Sequence, residues 1–157
     1  DSAQIQYTLG IKGFPKGAVL SHRGLTNNAR LSAIRFNSHG DALWANFMPL
    51  FHTAGYAIIA LGALHAGCAM AVVPLFDPAI INRLVAREKV TAFVAVPTML
   101  VALLENLTVE NHDMSSMEMV ISGGSMVAPE LAREVLSGFE CGLQTVYGQT
   151  ECCPIIT

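Results

Sequence analysis

Two kinds of apolar pattern alternate along most of the chain. Short runs rich in β-branched and apolar residues predict strands, and segments with apolar residues three or four positions apart predict helices. Strands are predicted at residues 4–8, 42–48, 68–73, 91–96, 117–122 and 144–147, with a further short apolar stretch at 18–20. Helices are predicted at residues 22–36, 53–66, 78–89, 97–107 and 129–137.

Residues at the predicted helix ends support these assignments. Ser21 and Asp77 are predicted N-caps, Gly67 is predicted to end the second helix, and Pro129 is expected in the first turn of the last one. The inward side of the helix that starts after Asp77 is expected to consist of Ile80, Ile81, Leu84 and Val85.

Strands that alternate with helices of 10–15 residues indicate right-handed βαβ units. The predicted fold class is therefore α/β, a mostly parallel, doubly wound sheet flanked by helices. Sheets of this kind bind ligands at the carboxyl ends of their strands. Four loops that follow strands contain unusual residues: 10–17, 49–55, 122–125 and 147–151. Whether they form one site is the question that the tertiary structure must answer.

Composition raises a membrane alternative. The 157 residues are 52% hydrophobic and 13% charged, against about 25% charged residues in an average soluble domain. Residues 42–76 contain no Asp, Glu, Lys or Arg, a run long enough to span a bilayer. Proline and glycine interrupt this run, so a buried strand, helix and strand explain it better than a membrane span. The excess of apolar residues, and the way the chain starts and stops, lead us to expect a fragment of a longer polypeptide.

Charge and cysteine content exclude other classes. The net charge of −3 and the lack of a Lys/Arg cluster give no footprint for nucleic acid. The four cysteines form no CxxC pair, and the adjacent Cys152 and Cys153 are poorly placed to bond to each other or to chelate one metal. Free thiols in a reducing cytoplasm are the plain interpretation.

Two of the loops have residues suited to a nucleotide. Residues 10–17 (GIKGFPKG) combine glycines, which let backbone N–H groups approach a phosphate, with lysine charge, but they do not fit GxxxxGK[ST]. Residues 147–151 (YGQTE) offer an aromatic face, a hydroxyl and a carboxylate, a set that can stack a base, contact a phosphate and hold Mg²⁺. Taken singly, each loop is also explained by an ordinary surface turn.

The other two loops are ambiguous when considered alone. His52 follows an apolar stretch, where a lone histidine is more often a satisfied, partly buried residue than a catalyst. Residues 122–125 (SGGS) predict a turn that needs a positive φ or a close approach to the backbone.

Together these segments resemble one family. Residues 7–22 (YTLGIKGFPKGAVLSH) resemble the phosphate-loop signature of the adenylate-forming superfamily of acyl-CoA synthetases, luciferases and peptide-synthetase adenylation domains. The segments 49–52 (PLFH), 96–98 (VPT), 121–124 (ISGG) and 147–151 follow in that superfamily's order and at about its spacing. The resemblance covers essentially the whole chain and is closest to the fatty-acyl and other acyl-CoA synthetases.

The resemblance implies ATP-dependent activation of a carboxylic acid, expected to be a fatty acid, with Mg²⁺ and coenzyme A as the further reactants. It implies that Tyr147 stacks on adenine, that Thr150 contacts the α-phosphate, that Glu151 coordinates Mg²⁺, and that His52 lies beside the acyl carboxylate. Lys16 and the loop glycines would hold the β- and γ-phosphates. The implied catalytic residues are His52, Thr150, Glu151 and Lys16. The implied nucleotide-binding residues are Thr8, Gly10, Lys12, Gly13, Lys16, Gly17, Gly123, Gly124, Tyr147, Gly148, Gln149 and Thr150. Tyr56 and Ile59 are candidates for the wall of an acyl tunnel.

The phosphate loop departs from the family pattern. Where the family usually has YTSGTTG, residues 7–13 read YTLGIKG, so Leu9, Ile11 and Lys12 replace three hydroxyl residues. Each lost hydrogen bond to a charged phosphate would be worth about 1.5–3 kcal/mol. A non-catalytic nucleotide- or acyl-binding remnant therefore remains an alternative to an active ligase.

The resemblance also implies a domain organisation. Residues 1–20 would form a strand and phosphate-loop segment, and residues 21–157 an α/β subdomain with the adenine- and acyl-pocket motifs, both within one truncated domain. The remainder of that domain and a small C-terminal domain with a catalytic lysine would be missing. We therefore expect this chain alone to be inactive as a synthetase.

Overall fold

The computed structural model describes residues 1–9 and 13–157. The chain begins with an antiparallel hairpin and continues into an alternating α/β unit. Its strands are β1 (Ser2–Thr8), β2 (Lys16–Ser21), β3 (Leu43–Asn46), β4 (Ala69–Val72), β5 (Ala92–Ala95), β6 (Met119–Ser122) and β7 (Gly142–Thr145). Its α-helices are α1 (His22–Arg35), α2 (Leu61–Ala66), α3 (Pro78–Glu88), α4 (Pro97–Val109) and α5 (Pro129–Gly138). A π-helical segment (Ala54–Ala60) leads directly into α2, and a short 3₁₀ helix covers Thr150–Cys152.

The main sheet has the order β4-β3-β5-β6-β7, and each neighbouring pair is parallel. This confirms the predicted α/β class. Helices cover both faces of the sheet. Adjacent residues of one strand point to opposite faces, so each face has its own core. Phe93 packs with residues of α3, α4 and α5 on one side. Trp44 packs with Phe36 and the π-helical segment on the other.

The centre of the larger core is aromatic. The ring of Phe93 lies 5.5 Å from that of Phe47 and 5.5 Å, edge-on, from that of Phe139. Both Phe93 and Phe139 are completely buried. These rings fix the sheet against the helices that follow β4, β5 and β6, and so hold the strand ends in place.

Most helix ends lie where the capping residues predict. The Ser21 side chain accepts a hydrogen bond from the Gly24 N–H at the start of α1, and the Asp77 carboxylate accepts one from the Ile80 N–H at the start of α3. The predicted helix at 53–66 is present, but its first half is π-helical. Within the part of the chain that the structure describes, no helix is long and apolar enough to cross a membrane.

One residue of the predicted inward side of α3 was assigned wrongly. Ile80 was expected to point inward, yet it is 52% exposed. The buried side of α3 instead includes Asn82, whose Nδ2 donates to the Leu103 carbonyl at 3.0 Å and to Asn106 Oδ1 at 2.8 Å on α4. The amide nitrogen of Asn82 thus has two acceptors, whereas its Oδ1 has no partner among the described residues. The two bonds hold a polar side chain on the core side, so the buried side of α3 differs from its apolar pattern.

The last strand is shifted by two residues from the prediction of 144–147. It covers Gly142–Thr145, and the Val146 N–H makes one more bond to the Ser122 carbonyl. Tyr147 then leaves the sheet and pairs with the backbone of residues 156 and 157. The loop expected at 10–17 is also shorter at its end, since β2 already begins at Lys16.

Candidate functional site

The carboxyl ends of the parallel strands surround one cavity of about 430 Å³. It takes residues from the end of β1, the loop after β3, the ends of β5 and β6, and the segment after β7. The lining residues are Thr8, Leu9, Met48, His52, Thr53, Ala54, Ile58, Val94, Ala95, Val96, Gly123, Gly124, Val146, Gly148, Gln149, Thr150, Glu151, Pro154 and Ile155. Residues from the loops 49–55, 122–125 and 147–151 therefore meet at one site. Residues 13–17 of the remaining loop do not line it.

The loop after β3 is shaped by Asn46, a buried amide at the end of that strand. Its Nδ2 donates to the Gly55 carbonyl at 3.0 Å, and its Oδ1 accepts from the Met48 N–H at 3.2 Å. Sequence reasoning assigned no role to Asn46. The available signal was an isolated amide at the carboxyl end of an otherwise apolar strand, where only a specific set of backbone partners justifies its burial.

His52 has a defined tautomer in its neutral form. Its Nδ1 accepts a hydrogen bond from the Ala54 N–H at 3.1 Å. A ring nitrogen that accepts a hydrogen bond has no proton, so the proton of neutral His52 lies on Nε2. The residue lines the cavity, and Nε2–H is the ring's remaining donor for a carboxylate or phosphate oxygen.

The turn after β6 has both properties predicted for it. Gly124 has φ +84°, a left-handed conformation that favours glycine. A Cβ on Gly123 would lie 2.8 Å from Val146 Cγ2 and 2.9 Å from the Val146 carbonyl oxygen. Glycine at position 123 therefore permits a close approach to Val146, and both glycines line the cavity.

The segment 147–155 is closed on itself by backbone bonds. Gly148 and Ile155 form an antiparallel bridge, and the Gln149 N–H donates to the Pro154 carbonyl at 2.8 Å. The 3₁₀ helix between them carries Thr150, which is half-buried, and Glu151, which is exposed; both line the cavity. The side chain of Glu151 is a single carboxylate, which suits Mg²⁺ because this ion commonly takes one or two carboxylates and completes its shell with phosphate oxygens and water.

Tyr147 does not line this cavity. Its side chain is 58% exposed, and its hydroxyl accepts a hydrogen bond from Gln149 Nε2 at 3.2 Å. Because Gly148 and Gln149 do line the cavity, the ring lies at the border of the site.

The hairpin contributes its β1 end to the cavity. Thr8 and Leu9 line it, and Leu9 is 98% exposed. Lys16 pairs with Thr8 across the hairpin and is exposed, and Gly13 and Gly17 likewise lie outside the lining. Gly10 and Lys12, both predicted to contact phosphate, lie outside the described residues.

A polar contact joins the hairpin to the histidine loop. Gln6 Nε2 donates to the Phe51 carbonyl at 2.7 Å, one residue before His52, and Gln6 Oε1 accepts from Gln4 Nε2 at 2.8 Å. Gln4, Gln6 and Thr8 are half-buried, whereas Ile5 and Tyr7 on the other face are exposed. The hairpin therefore turns its polar face towards the rest of the domain.

The two residues suggested for an acyl tunnel lie elsewhere. Ile59 is fully buried in the core around Trp44, and Tyr56 packs with Leu20 and Cys153. Burial, and secondarily the nearby Cys153, raises the pKa of Tyr56. The π-helical segment instead presents Ala54 and Ile58 to the cavity, beside Val94 and Val96. Tyr56 and Ile59 therefore do not line this cavity, and a role for them in an acyl tunnel stays a prediction.

Comparison with known proteins gives consistent results. A sequence model described as "AMP-binding enzyme" matches residues 1–157. The chain is 32% identical over 161 residues to 4-coumarate–CoA ligase 1 of Solanum tuberosum, an alignment that covers 99% of this chain and 30% of the relative. The chain thus spans about a third or less of the length of such curated relatives.

Two solved structures share the fold. ATP-bound MatB from Rhodopseudomonas palustris superimposes with a TM-score of 0.86 at 31% identity, over 98% of this chain and 30% of the other. O-succinylbenzoate coenzyme A synthetase (MenE) from Bacillus subtilis, in complex with ATP and magnesium ion, gives a TM-score of 0.83 at 28% identity, over 98% and 31%.

Proposed function

Because the chain belongs to the family of AMP-binding enzymes, we propose that it supplies the nucleotide and acid site of an ATP-dependent acid–CoA ligase. One observation carries the proposal: Thr8, His52, the Gly123–Gly124 turn and residues 148–151 line a single cavity at the carboxyl edge of a parallel sheet. MatB and MenE, which share this fold, were solved with ATP, and this supports nucleotide binding by the fold.

The proposed reaction has two steps. A carboxylate oxygen attacks the α-phosphorus of ATP, the bond from that phosphorus to the bridging oxygen breaks, and pyrophosphate leaves. The thiolate of coenzyme A then attacks the acyl carbon, and AMP leaves with the carboxylate-derived oxygen. In the first step two anions must approach each other, so the task of the protein is to position them and to stabilise the charge.

The cavity residues take the following roles in this proposal. His52 Nε2–H donates to the acid carboxylate and orients it, while the Thr150 hydroxyl donates to the α-phosphate. The Gly123–Gly124 backbone gives adenine and the acyl group a close approach, with Tyr147 at the border stacking on the base. Glu151 holds Mg²⁺, which would neutralise phosphate charge.

The hairpin is proposed to stabilise the negative charge of the β- and γ-phosphates. The residues that would contact these phosphates are Thr8, Gly10, Lys12, Gly13, Lys16 and Gly17. Lys16 does not line the cavity, but it lies on the strand paired with Thr8, which does. A lysine side chain is long enough for its ammonium to reach a triphosphate that extends from the cavity towards the hairpin.

The acid is proposed to have an apolar acyl group, because Met48, Ala54, Ile58, Val94 and Val96 form much of the lining. A fatty acid fits this surface. An aryl-substituted acid fits it as well, and the potato relative is named for such an acid. Parallel titrations with decanoate and 4-coumarate would distinguish the two classes.

We also propose that residues 1–20 and 21–157 are two segments of one large domain, completed by chain that lies outside this sequence. The isolated chain should then be inactive as a ligase, and thioester formation by the purified chain with ATP, acid and coenzyme A would contradict this. A cytoplasmic location belongs to the same proposal, since the four cysteines are free thiols.

A second candidate, a non-catalytic nucleotide- or acyl-binding remnant, is favoured by one observation. Leu9 presents an almost fully exposed apolar side chain at the cavity, where a hydroxyl would donate to phosphate. Coenzyme A and bond-making steps would have no part in that function.

Calorimetric titration with Mg·ATP tests the proposal. The parent chain is compared with a triple variant, Leu9→Ser, Ile11→Thr and Lys12→Thr, and with Glu151→Gln, which removes the proposed Mg²⁺ ligand. Binding by the parent that weakens in Glu151→Gln supports the Mg·nucleotide site that the ligase requires. Binding by the triple variant alone supports a remnant whose phosphate loop no longer holds triphosphate. Absence of binding in all three contradicts a nucleotide site in this chain.

A further inference from the structure

The segment that carries Thr150 and Glu151 is held from outside the cavity by one side chain of α1. Asn28 Nδ2 donates to the Ile155 carbonyl at 2.7 Å, and Asn28 Oδ1 accepts from the Ile155 N–H at 3.2 Å. The amide thus satisfies both backbone groups of one residue, as a neighbouring strand would. The two residues are 127 positions apart in sequence, so this contact exists only in the folded chain.

The same side of α1 receives the preceding residues. Gly24 lies one helical turn before Asn28, and a Cβ on Gly24 would lie 2.8 Å from Cys153 Sγ. Cys153 and Pro154 are buried, while Thr150 and Glu151 stand at the cavity one turn earlier. The contacts with α1 therefore involve residues 153 and 155, which follow Thr150 and Glu151 in the chain.

We propose that Asn28 is a positioning residue, which holds residues 153–155 against α1 and thereby keeps Thr150 and Glu151 at the cavity. The roles of those two residues rest on the proposed function; the anchoring itself does not. Helix α1 follows directly from β2, which pairs with β1 and its Thr8. Asn28 consequently ties the hairpin side of the cavity to the side that carries Glu151.

The adjacent residue provides a matched control. Asn27 has the same side chain on the same helix, but it is exposed and is one residue removed from the contact. Asn28→Ala deletes both bonds to Ile155, whereas Asn27→Ala makes the same chemical change without touching the anchor. Any difference between the two variants reports on the anchor and not on helix propensity.

Hydrogen exchange measured by mass spectrometry tests the anchor without a ligand. In Asn28→Ala, we expect peptides covering residues 147–157 to exchange about tenfold faster, the factor that corresponds to about 1.4 kcal/mol. Peptides from β5 and β6, and all peptides of Asn27→Ala, should exchange at the parent rate. Unchanged exchange in 147–157, or a uniform rise over the whole chain, would overturn the proposal.

Gly24→Ala perturbs the same anchor at Cys153 and provides a second test if Asn28→Ala does not fold. The new methyl group must displace Cys153 Sγ, so exchange in 147–157 should rise. In the double variant Gly24→Ala, Cys153→Ala, the sulfur is gone and the Cys153 Cβ lies 3.6 Å away, an ordinary contact. The tighter contact with Ser21 Oγ, at 3.2 Å, is the same in the single and double variants and does not contribute to their difference. Exchange should therefore return towards the parent rate, and failure to return would count against the contact.

Mg·ATP titration then separates positioning from a merely structural role. Asn28→Ala should weaken binding of Mg·ATP by about tenfold, and should weaken binding of ATP without Mg²⁺ by less, because Glu151 is displaced. Equal affinity in Asn28→Ala and parent, with faster exchange in the segment, would overturn the positioning role. If the parent itself binds no Mg·ATP, the proposed function fails, and the exchange comparison alone decides whether Asn28 anchors the segment.

Discussion

His52 offers a sharp prediction because its two ring nitrogens have separate tasks. Nδ1 accepts from the Ala54 N–H, which leaves Nε2–H for the acid. Asparagine can place its Oδ1 near the position of Nδ1, and glutamine can place its amide nitrogen near that of Nε2. His52→Asn therefore keeps the backbone contact and loses the donor to the acid, whereas His52→Gln keeps the donor and loses the backbone contact.

We expect His52→Asn to affect mainly acid affinity, and His52→Gln to affect mainly the free energy of unfolding. A hydrogen bond to a charged group is worth about 1.5–3 kcal/mol, and a neutral one about 0.5–1.5 kcal/mol. His52→Asn should then weaken binding of the acid by about 10- to 150-fold and leave the free energy of unfolding unchanged. His52→Gln should keep acid affinity within a few-fold and lower the free energy of unfolding by about 1 kcal/mol.

Calorimetric titration with decanoate and 4-coumarate in the presence of Mg·AMP measures the first quantity, and urea unfolding measures the second. The crossed pattern is the decisive observation, because general damage to the loop would lower both quantities together. Equal loss of acid affinity in the two variants would refute the assignment of Nε2–H as the carboxylate donor.

Two further predictions concern stability. Phe93→Ala removes the ring that contacts Phe47 and Phe139 and should lower the free energy of unfolding by about 3–5 kcal/mol; a loss below about 1 kcal/mol in urea unfolding would contradict the packing at this position. Burial raises the pKa of Cys141 from its usual value near 9 to about 11. The folded chain therefore retains this proton at pH values where the unfolded chain has lost it, so stability should fall as the pH rises from about 9 to about 11. Cys141→Ala should make that decline shallower, and an identical decline in both proteins would show that Cys141 does not contribute.

The sequence by itself was sufficient for the class of fold. The alternation of strands and helices indicates parallel neighbours joined by crossover helices, and the structure has a five-stranded parallel sheet. Local chemistry was also readable where it depends on few neighbours. The N-caps Ser21 and Asp77, and the turn at Gly123–Gly124, have the geometry that their residue types predict.

The tertiary structure decided which of the candidate segments share a site and what supports them. Sequence order placed His52, Gly123 and Thr150 in separate loops, and their common cavity follows from the order β3-β5-β6-β7. It also decided which groups bond to the amides of Asn46, Asn82 and the half-buried Asn28, because no periodic pattern contains the positions of those partners. Apolar periodicity records only which side of an element is buried. Directional hydrogen bonds between distant residues depend on the final packing, and so the burial of Asn82 on α3, the offset of β7 and the anchor at Ile155 emerge only in the folded chain.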